Sequence, residues 1–456
     1  MTITQICEAV QALRSIGSEV TVTSVSIDSR GDLYGKLFVP MKGNNVDGHD
    51  YIIEALNAGA SYSLTERKPQ SENEIQVKST RKALIDLAAY RRNLFKNPVV
   101  GITGSVGKTT TKEMTATILQ SYNPLKTIGN YNNDIGLPLT ILSLCDNHNA
   151  MVLEMGMNHK NEITVLSRIA RPNIAIITNI GDAHIENLGS REGILSAKCE
   201  IFDGMDADGI AILNGDDILL ANVKPTQKTI YVGIENTAKK HNFVRADSVK
   251  NHGLAGVSCS IYWQIDGIPS DRIDISIPLP GVHNVINVLM AITTGLVLNL
   301  TTQQILDGVN SLKTTKDRLT IEKLPKFTII NDAYNASPES MRAAIDSLCS
   351  IAKGRTVCIF GDMLELGEFS KSLHEEIGEY AAKSEIDVLV TIGEASQNTG
   401  IVFAQIAPAA ICKHFRTKGD FLSNWQNYIK NEDTILIKAS RGMAFEDLAH
   451  FFKGAV

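Results

Sequence analysis

The run Gly101-Ile-Thr-Gly-Ser-Val-Gly-Lys-Thr-Thr-Thr, residues 101 to 111, constrains this chain more than any other feature. It leaves the apolar, β-branched segment VVGIT (99–103) and enters a stretch that predicts a helix. In a strand–turn–helix context, glycines let backbone N–H groups face phosphate oxygens, and the helix N-terminus favours negative charge. Gly104, Ser105, Val106 and Gly107 would form the cradle. Lys108 would reach the β- and γ-phosphates, and Thr109 or Thr110 would place a hydroxyl on Mg²⁺. The spacing is not the strict G-x₄-G-K-[ST], because Ile102 stands where that pattern has glycine. A glycine-rich turn without a ligand is the bland alternative, and the flanking strand and helix argue against it.

The rest of the chain extends this pattern. MVLEM (151–155), IAIIT (174–178) and IAILN (210–214) are further short apolar runs, mostly separated by helical stretches, as in a parallel sheet buried on both faces. A more polar, strand-rich section follows from Thr229 to Ile277, and LPGVHN opens a helix to Leu298. A new alternation starts near Leu319: FTIIND (327–332), TVCIFG (356–361), DVLVTIG (387–393) and TILIKAS (434–440), with helices from Ser337, Ser370 and Lys418 and a last helix after the final strand. Before residue 82 a smaller α/β unit is expected, with strands at Val20 to Ile27 and Leu37 to Pro40, a helix at Tyr51 to Ala60, and a polar loop at Glu66 to Glu74. The helix Arg81 to Leu94 then stops at Asn97-Pro98. At roughly 150 residues per domain, 456 residues suit three domains, here 1–82, 83–313 and 314–456.

Charge and cysteine usage narrow the function class. With 44 basic and 50 acidic residues the net charge is −6, which gives no surplus for nucleic acid or an anionic membrane. Cys7, Cys145, Cys199, Cys259, Cys349, Cys358 and Cys412 are odd in number and contain no C-x-x-C pair. Neither a disulfide framework nor a zinc knuckle is expected, and a reducing compartment is. Glu8 and Arg14 interrupt the N-terminal segment where a signal peptide needs an apolar run. The most apolar long stretch, Val288 to Leu300, is broken by Thr293, Thr294 and Gly295 and is short of the roughly 20 residues that span a bilayer. A cytoplasmic protein without membrane insertion is expected.

Other candidates are weaker singly. Glu154 ends one apolar strand and His184 lies just beyond another, where an open parallel sheet gathers ligands. Alone, such a Glu is commonly solvated and such a His commonly caps a turn, and histidine is an unusual Mg²⁺ ligand. Lys198, in GILSAKCEIF, reads by pattern as an exposed helical lysine. The Asn-rich segment 127–140 reads as a turn.

Taken in order, GSVGKTTTKE (104–113), GVHN (281–284), DSRGDLYGKLFVPMKGNNVDGHDY (28–51), GNYNNDIGLPLT (129–140), EMGMNHKNEI (154–163), NDAYNASPESM (331–341) and FGDMLELG (360–367) resemble the Mur ligase family over essentially the whole chain. These are ATP-dependent, amide-forming enzymes of bacterial cell-wall precursor synthesis. Within the family the marks favour the branch that adds a dipeptide, and the Asp-Asn-Pro-Arg motif of the diaminopimelate-adding branch is absent. Two departures stand out: Asn331 where Asp is common, with Asp332 kept, and Asp317 before Arg318 where Gly is common.

The resemblance implies an α/β protein with a small N-terminal domain for the uridine-diphosphate substrate, a central phosphate-loop domain for ATP, and a C-terminal Rossmann-like domain on the dipeptide side. It assigns Ser29, Arg30, Lys42 and His49 to the nucleotide-sugar. Arg suits a diphosphate as a fork and Lys as a point charge. It assigns His283 and Asn284 to adenine, Arg318 and Asp332 to ATP from the third domain, and Asn132, Asn133, Tyr334, Asn335 and Ser337 to the substrates. It places Thr109, Glu154, His184 and Lys198 at a site for two Mg²⁺, with Lys198 where relatives carry a carbamylated lysine. The catalytic set implied is Lys108, Lys198, His184 and Arg318. The reaction expected joins UDP-MurNAc-tripeptide to D-alanyl-D-alanine through an acyl phosphate, in a monomer. The rivals are another amino-acid ligase of this family, a folylpolyglutamate synthase, and a regulatory nucleotide switch; the guanine-reading N-K-x-D motif is absent.

Overall fold

The structure is a computed structural model that describes all residues except 15, 236–239, 315–318 and 455–456. Three sheets divide the chain. The first is a four-stranded parallel sheet in the order β1-β2-β3-β4, from β1 (Val25–Ser26), β2 (Leu37–Phe38), β3 (Tyr62–Thr65) and β4 (Glu74–Gln76). The expected strand from Val20 shrinks to two residues. Thr21 bridges Thr2 and Thr23 N–H donates to Gly35 O, so the segment bonds to separate partners rather than to one ladder. A helix at Ile3–Ala9, started by a Thr2–Gln5 capping box, covers part of this unit.

The second sheet has nine strands: β5 (Val99–Thr103), β6 (Leu125–Lys126), β7 (Met151–Glu154), β8 (Ile174–Ile177), β9 (Ile210–Asn214), β10 (Lys228–Gly233), β11 (Phe243–Asn251), β12 (Val257–Ile265) and β13 (Ile268–Ile277). Their order is β13-β12-β11-β10-β9-β8-β5-β7-β6, parallel through β11 and antiparallel at β12 and β13. Both faces of its middle are covered. Val99, Leu153, Ala175, Ile177 and Leu213 join one apolar cluster, with Leu137, Leu166 and residues of the helix Thr80–Leu94. Val100, Ile102, Ile174, Ile176 and Ile212 turn the other way, against Met114 and Ile118 of the helix Lys108–Ile118 and Val288 of the helix His283–Val297. Each such side chain, taken fully out of water, contributes roughly 1.5–3 kcal/mol, so double-sided burial explains why these strands read as unbroken apolar runs.

The third sheet comprises β14 (Thr320–Lys323), β15 (Thr328–Asn331), β16 (Thr356–Gly361), β17 (Val388–Ile392), β18 (Ile411–Phe415) and β19 (Thr434–Lys438). The order is β14-β15-β19-β16-β17-β18, parallel except for β14. It too is buried on both faces: Ile330, Phe360 and Leu436 face one cluster, and Ile329, Ile359 and Ile437 another. No helix among the described residues is long and apolar enough to cross a membrane.

Candidate active site

The phosphate-loop motif sits where the second sheet delivers it, between the carboxyl end of β5 and the helix Lys108–Ile118. Gly104 has φ +151°, and a Cβ there would lie 1.8 Å from Thr178 Oγ1, so only glycine fits. The neighbouring strand pins the turn. Thr178 Oγ1 donates to Val106 O at 2.5 Å, and Val106 N–H and Ser105 N–H donate to the side chain and carbonyl of Asn179 at 2.8 and 3.1 Å. Gly181 N–H donates to Ser105 Oγ at 2.9 Å. Lys108 Nζ folds over the loop, donating to Gly104 O at 2.7 Å and Ser105 O at 3.2 Å. The first amides of a helix lack internal acceptors, so this turn presents donors and a cation to an anion.

Beside it stands Glu154, at the carboxyl end of β7 and only 2% exposed. Thr109 Oγ1 donates to its Oε2 at 2.8 Å and Asn132 Nδ2 to its Oε1 at 2.9 Å. A buried carboxylate with a hydroxyl on one oxygen is a donor set that suits a hard cation such as Mg²⁺. His184, at φ +66°, has Nδ1 2.6 Å from Glu365 Oε2 of the third domain, an ion-pair distance without hydrogen-bond alignment. Contact with the His184 ring holds the Glu365 carboxyl below the ordinary carboxylate range. Among the described residues no group of three or more His, Cys, Asp and Glu side chains forms a complete metal cluster.

Lys198 departs from its pattern-based reading as an exposed helical residue. It lies on the helix Arg191–Cys199 but is 1% exposed. Burial first, and then the charge of Lys108, hold its amine well below the ordinary lysine value. The sequence places Lys198 on a helix, but which side of that helix turns inward depends on packing.

The third domain closes over the same space. A cleft of about 670 Å³ is lined by the phosphate loop, His184, His283 and Asn284, and by Asp332, Tyr334, Asn335 and Ser337. Asn284 Nδ2 donates to Pro280 O at 2.8 Å and its Oδ1 accepts from Asn287 at 3.2 Å, which fixes the amide at the cleft wall. Ser337 caps the helix Pro338–Ile351, with Pro at its first position. Lys438, a cleft residue that sequence reasoning passed over, is 2% exposed; its Nζ reaches Asp332 Oδ2 at 2.5 Å and Asn335 O at 2.9 Å. A lysine ending TILIK carries no signal of its own, because its acidic partner is over a hundred residues away in sequence. Glu339 was passed over likewise. Its Oε1 accepts Asp182 N–H at 3.0 Å, while burial and then Asp182's charge push its carboxyl upward.

The remaining expected residues are placed elsewhere. Asn133 Oδ1 accepts Gly136 N–H at 2.8 Å and so starts a helix rather than touching Glu154. Ser29, Arg30, Lys42 and His49 lie on the first domain and do not line the cleft. Arg30 makes a fork with Asp28, both contacts 2.9 Å. His49 is buried, with Nδ1 2.7 Å from Asp47 Oδ1 and Nε2 accepting Glu66 N–H at 3.2 Å. Arg318 and Asp317 lie outside the described residues.

A phosphate loop with a buried carboxylate beside it, walled on the far side by a second α/β domain, defines a nucleotide-using enzyme that works between its domains. Family models match in three places: the Mur ligase family catalytic domain at residues 21–92, the Mur ligase middle domain at 102–295, and the Mur ligase glutamate ligase domain at 317–441. The chain belongs to the Mur ligase family. It is 38% identical to the UDP-N-acetylmuramoyl-tripeptide–D-alanyl-D-alanine ligase of Bacillus subtilis, over 94% of this chain and 93% of that one. A crystal structure of MurF from Acinetobacter baumannii superposes with a TM-score of 0.87 at 31% identity, covering 98% of each chain. MurF ligase from Thermotoga maritima, solved in complex with ADP, gives 0.79 at 29% identity over 94% of this chain and 97% of that one.

Proposed function

We propose that this enzyme joins the free carboxylate of UDP-MurNAc-tripeptide to the amine of D-alanyl-D-alanine, with ATP converted to ADP and phosphate, to make the pentapeptide precursor of peptidoglycan. The observation that carries this reading is one cleft with the phosphate loop on one wall and the Tyr334–Ser337 segment on the other, in a chain matched over nearly its full length by a ligase of that name.

A carboxylate is a poor electrophile, because attack on it has no good leaving group to expel. Transfer of the γ-phosphoryl to a carboxylate oxygen forms an acyl phosphate and releases ADP. The neutral amine then adds to the acyl carbon, loses a proton, and the tetrahedral intermediate collapses with phosphate leaving. Such a sequence asks the protein for positioning and charge neutralisation rather than for a nucleophile. Lys108 and the first amides of its helix hold the phosphates, Asn284 and His283 hold adenine, and Asp332 and Arg318 are assigned to ATP. Thr109 and Glu154 would hold Mg²⁺, with His184 and Lys198 as further donors. Bound there, Mg²⁺ supplies neutralisation of phosphate charge.

Lys198 joins such a site only as an anion. Its depressed basicity supports reaction of the neutral amine with CO₂ to give a carbamate and a proton. The first domain, residues 1–82, would carry the nucleotide-sugar through Ser29, Arg30 and Lys42, with His49 shaping the loop. Residues 83–313 would carry ATP and residues 314–456 would bring the dipeptide, excluding water from the acyl phosphate. Because one chain supplies both cleft walls, a monomer suffices. Seven free thiols and the need for ATP support a cytoplasmic setting.

The test is a coupled assay with ATP, UDP-MurNAc-tripeptide and a panel of dipeptides. ADP and phosphate should appear one for one with new amide, and only with both partners present. AMP and pyrophosphate would remove the acyl-phosphate mechanism, and phosphate release without an amine would indicate a switch.

A further inference from the structure

We propose that Arg441 receives the free carboxylate of the incoming dipeptide, an assignment that rests on the ligase reading above. The dipeptide must place its amine at the acyl carbon, which leaves its carboxylate at a set distance on the third domain's side. Taking a carboxylate out of water demands a cation with unspent donors.

The cations around the cleft are largely committed. Lys108 bonds the carbonyls of its own loop, Lys126 pairs with Glu113, Lys438 with Asp332, and Arg342 with Glu376. Arg441 differs. It is exposed and makes no salt bridge among the described residues; its guanidinium carbon instead lies 4.9 Å from the ring centroid of Tyr334, a cleft residue. A cation–π contact consumes no carboxylate partner, so the guanidinium N–H groups remain available for a two-pronged carboxylate contact.

The placement fits a substrate site. Arg441 follows the carboxyl end of β19, Tyr334 that of β15 and Leu364 that of β16, and these three strands are adjacent and parallel. Open α/β sheets take ligands at this edge. The turn is held, since Leu364 N–H donates to Ser440 Oγ at 2.9 Å. Leu364 is 44% exposed beside Gly442, offering an apolar surface to methyl groups next to the cation. The next residue, Glu365, touches His184 of the second domain, so the spot borders the junction where the two substrates must meet.

The test compares D-alanyl-D-alanine with its C-terminal amide, which keeps the amine and loses the charge. Wild type should prefer the acid. Arg441→Gln should raise KM for the acid on the order of 10- to 100-fold, leave KM for ATP unchanged, and bring acid and amide nearly level. Arg441→Lys should recover part of the preference. Retained wild-type preference in Arg441→Gln would overturn the assignment. So would loss of the preference in Lys313→Ala instead, since Lys313 also lines the cleft and makes no salt bridge among the described residues. If wild type joins no amine to the tripeptide, the ligase reading fails first, and the assignment with it.

Discussion

Thr109 donates its hydroxyl proton to Glu154 Oε2 at 2.8 Å, joining the first turn of the phosphate-loop helix to the end of a strand 45 residues on. The pair places an anion beside a helix N-terminus that otherwise presents only positive potential. That arrangement is useful where a cation is to sit between the carboxylate and a phosphate.

Glu154→Gln keeps the shape of this contact and removes the charge. The Mg²⁺ concentration giving half-maximal activity should rise at least about 10-fold, with the thermal midpoint little changed. An unaltered Mg²⁺ dependence in folded protein would show that Glu154 is not a metal ligand.

Lys108→Ala should leave the fold intact, because the side chain folds over its own loop, donating to Gly104 O and Ser105 O at 2.7 and 3.2 Å, and fills no apolar core. Turnover should fall on the order of 10²-fold or more through loss of a preorganised cation at the transferring group. Steady-state kinetics beside a circular dichroism spectrum decide it; near-normal turnover would sink the phosphate-loop assignment.

Lys198 makes a signed pH prediction. Its folded-state pKa lies well below the ordinary 10.5, so in CO₂-free buffer unfolding takes up a proton anywhere between the two values. Stability conferred on the wild type therefore rises with pH across that window and levels off near the unfolded value. Lys198→Met removes this slope, which urea titrations of both proteins at several pH values would reveal. The same variant should lose most of its turnover, and a short carboxylic acid should restore some of it to Lys198→Ala. Full activity of Lys198→Ala without added acid would refute the carbamate.

Lys438 and Asp332 should behave as a coupled buried pair. Lys438→Met strands a partly buried carboxylate and should cost about 3–5 kcal/mol. Adding Asp332→Asn should return much of that loss, measured as a double-mutant cycle in denaturant. Additive losses would show that the 2.5 Å contact is not energetically coupled.

Much of this architecture was readable from the chain because parallel strands buried on both faces must be nearly all apolar. VVGIT, IAIIT and TVCIFG announce themselves for that reason. The edge strand β18, ICKHF, does not: with one side exposed, its Cys, Lys and His blur the signal, and the helix Gln397–Ile406 before it went unread as well. The phosphate loop was legible because its glycines and its lysine are contiguous, so local backbone geometry alone dictates them. Sequence pattern made Glu154, His184 and Lys198 no more than ordinary polar residues, and only the resemblance joined them to a site. Tertiary structure decided that Lys198 is buried against the charge of Lys108, that Lys438 holds Asp332, and that Arg441 lies over Tyr334. Each relation joins residues some ninety or more positions apart, and no local propensity or periodicity encodes a distance in space between segments that meet only when sheets and domains pack.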